Sequence, residues 1–171
     1  MVFVLQNVGT AAIGADGEGI GFQGFAPSLG IEFDTYQNGN LADPVVDHCA
    51  IIKNGDVNHF GLNNIAGPVQ TSQLSNNVED GVDHIVRIEW DPEERIIQVW
   101  FDCIFRLSAE VDIIEDIFNG QNNVWWGFTA ATGGVANVQI VCLQENIIAV
   151  SEDVTICNGG SEPVKIWCST Y

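Results

Sequence analysis

An all-β sandwich of antiparallel strands is the fold class this chain predicts, and three observations predict it. Short runs rich in Val, Ile, Phe and Trp are cut at close intervals by Gly, Asn and Asp. Helical periodicity is almost absent. Residues 84–102 alternate inward and outward positions on both sides of Asp91-Pro-Glu-Glu, the pattern of an antiparallel hairpin. Numerous short strands with frequent turn signals favour two packed sheets, and 171 residues suffice for one sizeable core.

Taken in order, residues 2–5 form a first strand and 14–24 a glycine-rich loop. Residues 29–36 form a second strand and 49–53 a third, after which Asn54-Gly55-Asp56 signals a hairpin turn. In the strand over 84–90, Val86, Ile88 and Trp90 share one face and Ile85, Arg87 and Glu89 the other. Residues 96–102 return antiparallel to it. One short helix is expected near 111–118, with Ile113, Ile114, Ile117 and Phe118 on one side. Strands over 124–131 and 138–143 complete the pattern. Trp90, Trp100, Trp125 and Trp126 sit in these strands and are expected to pack in the sandwich, although one of the adjacent pair must face outward.

The charge balance narrows the partners. With 23 Asp and Glu against 5 Lys and Arg, the net charge of −18 repels nucleic acid and anionic membrane and draws divalent cations. Neither a basic leader nor a spanning segment precedes or interrupts the strands, so membrane insertion is not expected. Cys49, Cys103, Cys142, Cys157 and Cys168 show no C-x-x-C spacing, which argues against a zinc cluster or a thioredoxin-like centre. Their odd number leaves at least one thiol free or paired between chains, so a homo-oligomer stays open. Cys157 and Cys168 flank a Gly-Gly turn and would close a small loop in an oxidising compartment, while the other three read as small buried hydrophobes.

The densest chemistry lies in IEFDTYQNGNLADPVVDH, which carries Glu32, Asp34, Tyr36, Asn38, Asp43 and His48. Alternate residues of a strand share a face, so Glu32, Asp34 and Tyr36 project together, opposite Ile31, Phe33 and Thr35. Clustered acids need a counter-charge. Calcium collects six to eight oxygens from carboxylates, amides and backbone carbonyls, and adding an imidazole suits manganese or another first-row ion. A solvated loop with incidental acids would explain any one of these residues; six at this spacing read as a site for two metals side by side.

At these residues the chain resembles the legume-type (L-type) lectins, whose signature runs Glu-x-Asp-x-Tyr-x-Asn, then Asp-Pro, then His, at the same intervals. The resemblance implies that Glu32, Asp34, Asp43 and His48 hold a transition ion, usually manganese (Mn2+), and that Asp34, the Tyr36 carbonyl, Asn38 and Asp43 hold calcium (Ca2+), with both Asp residues bridging. It extends further. Trp126-Gly-Phe-Thr-Ala-Ala-Thr-Gly-Gly134 is similar to the lectins' Gly-Phe-Ser-Ala-Ser-Thr-Gly strand and loop, and the stretch from Ile88-Glu-Trp-Asp to Val99-Trp-Phe-Asp to their long back-sheet hairpin. The fold it implies is a concanavalin A-like jelly-roll sandwich over residues 1–146, closest in character to lectin-like domains of bacterial surface proteins. Residues 147–171 resemble a linker and the start of an immunoglobulin-like module, beginning near Val154-Thr-Ile-Cys-Asn-Gly-Gly. In the family a strand like 2–5 follows an Ala-Asp-Gly loop whose Asp binds sugar, so N-terminal strands are expected to be missing here.

The resemblance implies carbohydrate binding by a secreted or cell-surface protein. A bound ion pair would lock the loop over 37–43, with the Asn38 carbonyl on calcium and its amide N–H directed at a sugar hydroxyl. Gly19 and the stretch Gly134, Val135, Ala136 and Asn137 are the other candidate contacts to a glycan or polysaccharide. Two departures lower the expected affinity: the sugar-binding Asp has no counterpart, and Leu41 or Ala42 replaces a common stacking aromatic. Losing a charge-assisted hydrogen bond to sugar would cost around a hundredfold. A structural or adhesin module stabilised by calcium is the first alternative. A glycoside hydrolase on the same sandwich is the second, but retaining hydrolysis needs two carboxyls about 5–5.5 Å apart, and Tyr36 or Gln37 stands where the second would be. No enzyme activity is therefore expected. His59 and His84 lack acids at ligand spacing on their strands and read as surface or packing residues. Gly17-x-Gly19-x-Gly21 opens onto no helix and carries no P-loop Lys, so it does not read as a phosphate loop.

Overall fold

The computed structural model describes residues 1–143 and the backbone of 154–155 and 165–170. Its strands are β1 Val2–Gln6, β2 Ser28–Asp34, β3 His48–Lys53, β4 Asn64–Gln70, β5 Asp83–Asp91, β6 Ile96–Phe101, β7 Ile104–Glu110, β8 Asn123–Thr129, β9 Gln139–Leu143, β10 Val154–Thr155 and β11 Lys165–Thr170. They form a six-stranded sheet in the order β10-β8-β1-β2-β3-β4 and a five-stranded sheet in the order β7-β6-β5-β11-β9. The strand pairings are antiparallel. Beyond those two strand segments, the linker and module start expected over 147–171 and the Cys157–Cys168 bond lie outside the described residues. No helix among the described residues is long and apolar enough to cross a membrane.

The core follows from period-two alternation. Ile31 of β2, Cys49 and Ile51 of β3, Val86 and Ile88 of β5 and Ile97, Val99 and Phe101 of β6 meet between the sheets, with Phe3 and Trp126 closing one side. The β5–β6 hairpin turns as expected, Asp91 Oδ1 accepting from the amides of Glu93 and Glu94. The helix expected near 111–118 is a π turn over Ile113–Ile117, capped by Asp112 Oδ1 accepting from the Glu115 amide. Ile113, Ile117 and Phe118 are buried and Ile114 is half-buried.

Several expectations are corrected. Strands β4 and β7 were not legible: β4 contains Gly67-Pro68, which only an edge strand tolerates. Trp100 lies on the outer face of the five-stranded sheet under the Arg87 guanidinium, 3.7 Å from it, because inward positions on β6 are Ile97, Val99 and Phe101. Cys103 and Cys142 are exposed; only Cys49 is a buried hydrophobe, its thiol pushed by burial up to about 12. Asn54-Gly55 does turn the chain, with φ of 57° and 64°, yet β3 does not reverse directly into β4. Residues 54–63 instead make an excursion over the outer face of the six-stranded sheet.

That outer face carries a second, smaller core. Val2, Val4, Ala50 and Ile52 point away from the sandwich and are covered by Ile20, Phe22 and Phe25 from the glycine-rich loop and by Val57 from the 54–63 excursion. Gly30 permits this, since a Cβ there would lie 2.9 Å from both the Phe22 ring and Val2.

Candidate metal centre

The site lies on the same outer face. Register sets its first half: Asp34 pairs directly opposite His48, and Glu32 opposite Ala50. Because Phe33 and Cys49 turn into the sandwich, Glu32, Asp34 and His48 must turn out together. Their second half comes from two loops. The 35–43 loop returns through the 3-10 turn Gly39–Leu41 to place Asp43 over the pair, and the 54–63 excursion drops His59 onto them. The amide of His59 donates to Leu41 O at 2.9 Å, tying the loops together.

These side chains converge. Ligand atoms of Asp34, Asp43 and His48 lie within 4.8 Å of one another, as do those of Glu32, His48 and His59. His48 Nε2 is 3.7 Å from Asp43 Oδ1; His59 Nε2 is 3.2 Å from Glu32 Oε2 and 3.4 Å from Asp43 Oδ1. All five residues are at most 8% exposed. Glu32 Oε2 and both nitrogens of His48 and of His59 are buried without an aligned hydrogen bond. No Lys or Arg pairs with the three acids among the described residues.

Electrostatics reflect this crowding. Burial lifts the Glu32 carboxyl to about 8, with Asp34 adding to the rise. Burial lifts Asp43 to about 6, against the Asn38 amide that holds it down. Both imidazoles go the other way: burial lowers His48 to about 4 and also lowers His59. The cluster therefore resists carrying its own charge. A dication fits it, because an ion satisfies several orphaned lone pairs and the excess negative charge at once.

Tyr36 and Asn38 stand beside the cluster rather than in it. The Tyr36 amide donates to Asp34 Oδ1 at 2.9 Å and the Asn38 amide to Asp43 Oδ2 at 2.7 Å. The Asn38 side chain makes no capping hydrogen bond to the turn it precedes, and the Tyr36 side chain is exposed. Each carboxylate thus spends one oxygen on the loop and keeps the other for the cluster.

Three loops meet at the rim. Asn40 Nδ2 donates to Glu18 Oε2 at 3.1 Å, joining the glycine-rich loop to the 35–43 loop. A Cβ on Gly133 would lie 3.6 Å from Gly17 Cα, joining the 131–137 loop to both. Gly19 is buried where its Cβ would strike Ala15 at 2.8 Å, so close approach accounts for that glycine. Gly134, Val135 and Ala136 are exposed, whereas the Asn137 amide donates to Glu79 Oε1, which also accepts from Thr35 Oγ1 at 3.2 Å.

Residues 1–145 match the family model described as the legume lectin beta-barrel domain. This chain belongs to that family. The legume lectin domain is part of the concanavalin A-like superfamily, to which the two antiparallel sheets and near absence of helix conform. Such lectin domains generally bind metal ions and suggest carbohydrate binding, and the family is generally non-enzymatic.

Sequence reasoning missed His59, which the structure brings into this cluster. The Asn-Gly turn implied a hairpin that would carry residue 59 away along the next strand. The legible signal was the run of Asp56, Asn58, Asn63 and Asn64: Asp56, Asn58 and Asn64 bond to nearby backbone, and Asn63 Nδ2 donates to Asp56 Oδ2, together building a loop. Asp56 Oδ1 accepts from the Asn58 amide at 3.0 Å, and Asn64 Nδ2 donates to His59 O at 3.2 Å and Gly67 O at 2.8 Å. His84, expected to lack acids at ligand spacing, is buried with Nδ1 2.8 Å from Asp102 Oδ2 and Nε2 3.2 Å from Asp80 Oδ1.

Proposed function

We propose that this lectin domain binds carbohydrate in a metal-dependent way, at the rim where the 14–24, 35–43 and 131–137 loops meet, as part of a secreted or cell-surface protein. One observation supports the reading: five buried, close-set candidate ligands include Asp43, which accepts from the backbone amide of Asn38, a residue whose side chain makes no capping bond. A calcium ion would take Asp34, Asp43, the Tyr36 carbonyl and the Asn38 carbonyl oxygen; manganese or another first-row ion would take Glu32, Asp34, Asp43 and His48. What the ions supply is rigidity and charge neutralisation. The chain's own groups then do the recognition: the Asn38 amide donates to a sugar hydroxyl, with Gly19, Gly134, Val135, Ala136 and Asn137 bordering the ligand.

A glycan array probed with calcium and manganese, after EDTA, and after their return tests this. Binding is expected to vanish with EDTA and recover on reloading. Asn38→Asp keeps an oxygen for calcium but loses the N–H donor, so it should abolish sugar binding while metal content holds. A second reading, a structural or adhesin module stabilised by calcium, is favoured by the Asn137 amide being engaged by Glu79. An array with no signal from fully metal-loaded protein would select it.

A further inference from the structure

We propose that His59 is a direct ligand of the transition ion through Nε2, and that this position is a two-imidazole site preferring cobalt, zinc or nickel to manganese. The inference rests on reading the cluster as a metal centre, and adds to it a donor that the strand-and-loop motif over 32–48 does not contain.

Geometry is the first support. Donors about 2.1 Å from one first-row ion lie roughly 3.0–3.4 Å apart in octahedral or tetrahedral arrangements. His59 Nε2 stands at 3.2 Å from Glu32 Oε2 and 3.4 Å from Asp43 Oδ1. Neither contact is aligned as a hydrogen bond, so the atoms converge on a point between them rather than on each other. The His48 and His59 rings are set edge to face, 82° between planes and 5.3 Å between centroids, as two imidazoles approaching one ion from adjacent directions would be.

Burial is the second. The His59 side chain is 1% exposed, and neither ring nitrogen has an aligned partner. A packing histidine would satisfy at least one. The loop also holds this ring deliberately: its amide is tied to Leu41 O and its carbonyl to Asn64 Nδ2. Asn64 Nδ2 is spent on His59 O and Gly67 O, so it anchors the backbone of His59 and leaves both ring nitrogens unpaired. Nε2 is the ring atom that faces Glu32 and Asp43, and so the one available to the ion.

Chemistry sets the preference. Carboxylates with one imidazole suit manganese, whereas a second imidazole shifts affinity toward later first-row ions. The test uses cobalt(II) as the probe on the full chain, with calcium in excess. Proton NMR of the cobalt-loaded protein should show two hyperfine-shifted, exchangeable imidazole N–H signals, one in His59→Ser or His59→Gln, and both in His84→Ala. Equilibrium dialysis against equal cobalt and manganese should give a bound cobalt-to-manganese ratio at least tenfold lower in His59→Ser than in the wild type. A single signal in the wild type, or two that survive both substitutions, overturns the role of His59 and leaves the metal centre standing. Failure to bind either ion overturns the metal centre itself. Because the wild-type spectrum already counts the imidazoles, a variant that does not fold leaves the inference decidable.

Discussion

The two faces of the β2–β3 pair share one backbone and bury their side chains in opposite ways. Toward the sandwich, Ile31, Cys49 and Ile51 are fully buried among apolar partners from both sheets. Toward the outside, the same strands bury Glu32, Asp34 and His48 almost as completely, next to a small apolar patch of Val2, Val4, Ala50 and Ile52. The first face is complete with protein atoms alone. The second gains stability when something supplies positive charge, since a buried carboxylate without a partner costs several kcal/mol or must take up a proton. Stability is thus built on one side and made conditional on the other.

Breaking the apolar side should give the largest effect. Ile51→Ala removes a fully buried side chain from the inter-sheet core and is expected to destabilise by about 4 kcal/mol. Urea unfolding with and without EDTA should show the same loss in both conditions. A loss that appears only in the metal-loaded protein would mean that the faces are coupled.

The next effect belongs to the charged side. Ligand at a hundred times its dissociation constant stabilises the folded state by about 2.7 kcal/mol. Calcium with manganese should therefore raise the melting temperature of chelated protein by several degrees in calorimetry, and Asp43→Asn should abolish most of the rise. No shift for the wild type would refute the conditional face.

A smaller effect follows from pH. Glu32 is lifted by burial to about 8 and Asp43 to about 6. A carboxyl raised on folding contributes stability that is present below its unfolded value and lost as pH climbs through the folded one. His48, lowered to about 4, works in the opposite sense, its contribution lost as pH falls from about 6.5 toward 4. Above pH 6.5 the Glu32 loss dominates, opposed in part by His48 and His59, whose unfolded imidazoles are still releasing protons there. Metal-free protein should accordingly lose of order 1 kcal/mol between pH 6.5 and 8, and Glu32→Gln should remove that loss. With metals bound the trend should reverse, because the ion competes with the Glu32 proton. Parallel curves for chelated and loaded protein would break the argument.

How much was readable beforehand follows the same division. Period-two alternation exposes a strand's two faces directly, so β2, β3, β5 and β6 and the clustering of Glu32, Asp34 and His48 were legible from spacing alone. Asp43 was legible because its loop closes locally on the strand before it. His59 was not, since its place depends on a long excursion held by Asx-type bonds and by a backbone contact to Leu41. Strand β7 escaped because its residues alternate on a half-exposed edge, with Phe105 outward against Trp100.

The smallest predicted effect tests whether the two faces are independent. Asp102 and Cys103 form the two-residue turn between β6 and β7, with φ of 48° and 64°. Such turns favour Asp-Gly, because the second position is left-handed. Asp102 is already committed, accepting from the Ile85 amide and contacting His84; Cys103 is exposed and unbonded in the turn. A left-handed L-residue costs about 1–2 kcal/mol, and glycine's greater unfolded freedom returns roughly 0.5–1 of that. Cys103→Gly should therefore stabilise by up to about 1 kcal/mol, read as a rise of a few degrees in melting temperature. This hairpin belongs to the five-stranded sheet, so cobalt affinity and the slope between pH 6.5 and 8 should not move. If they do, strain in the far sheet reaches the charged face, and the core between the sheets is a path for coupling rather than a barrier to it.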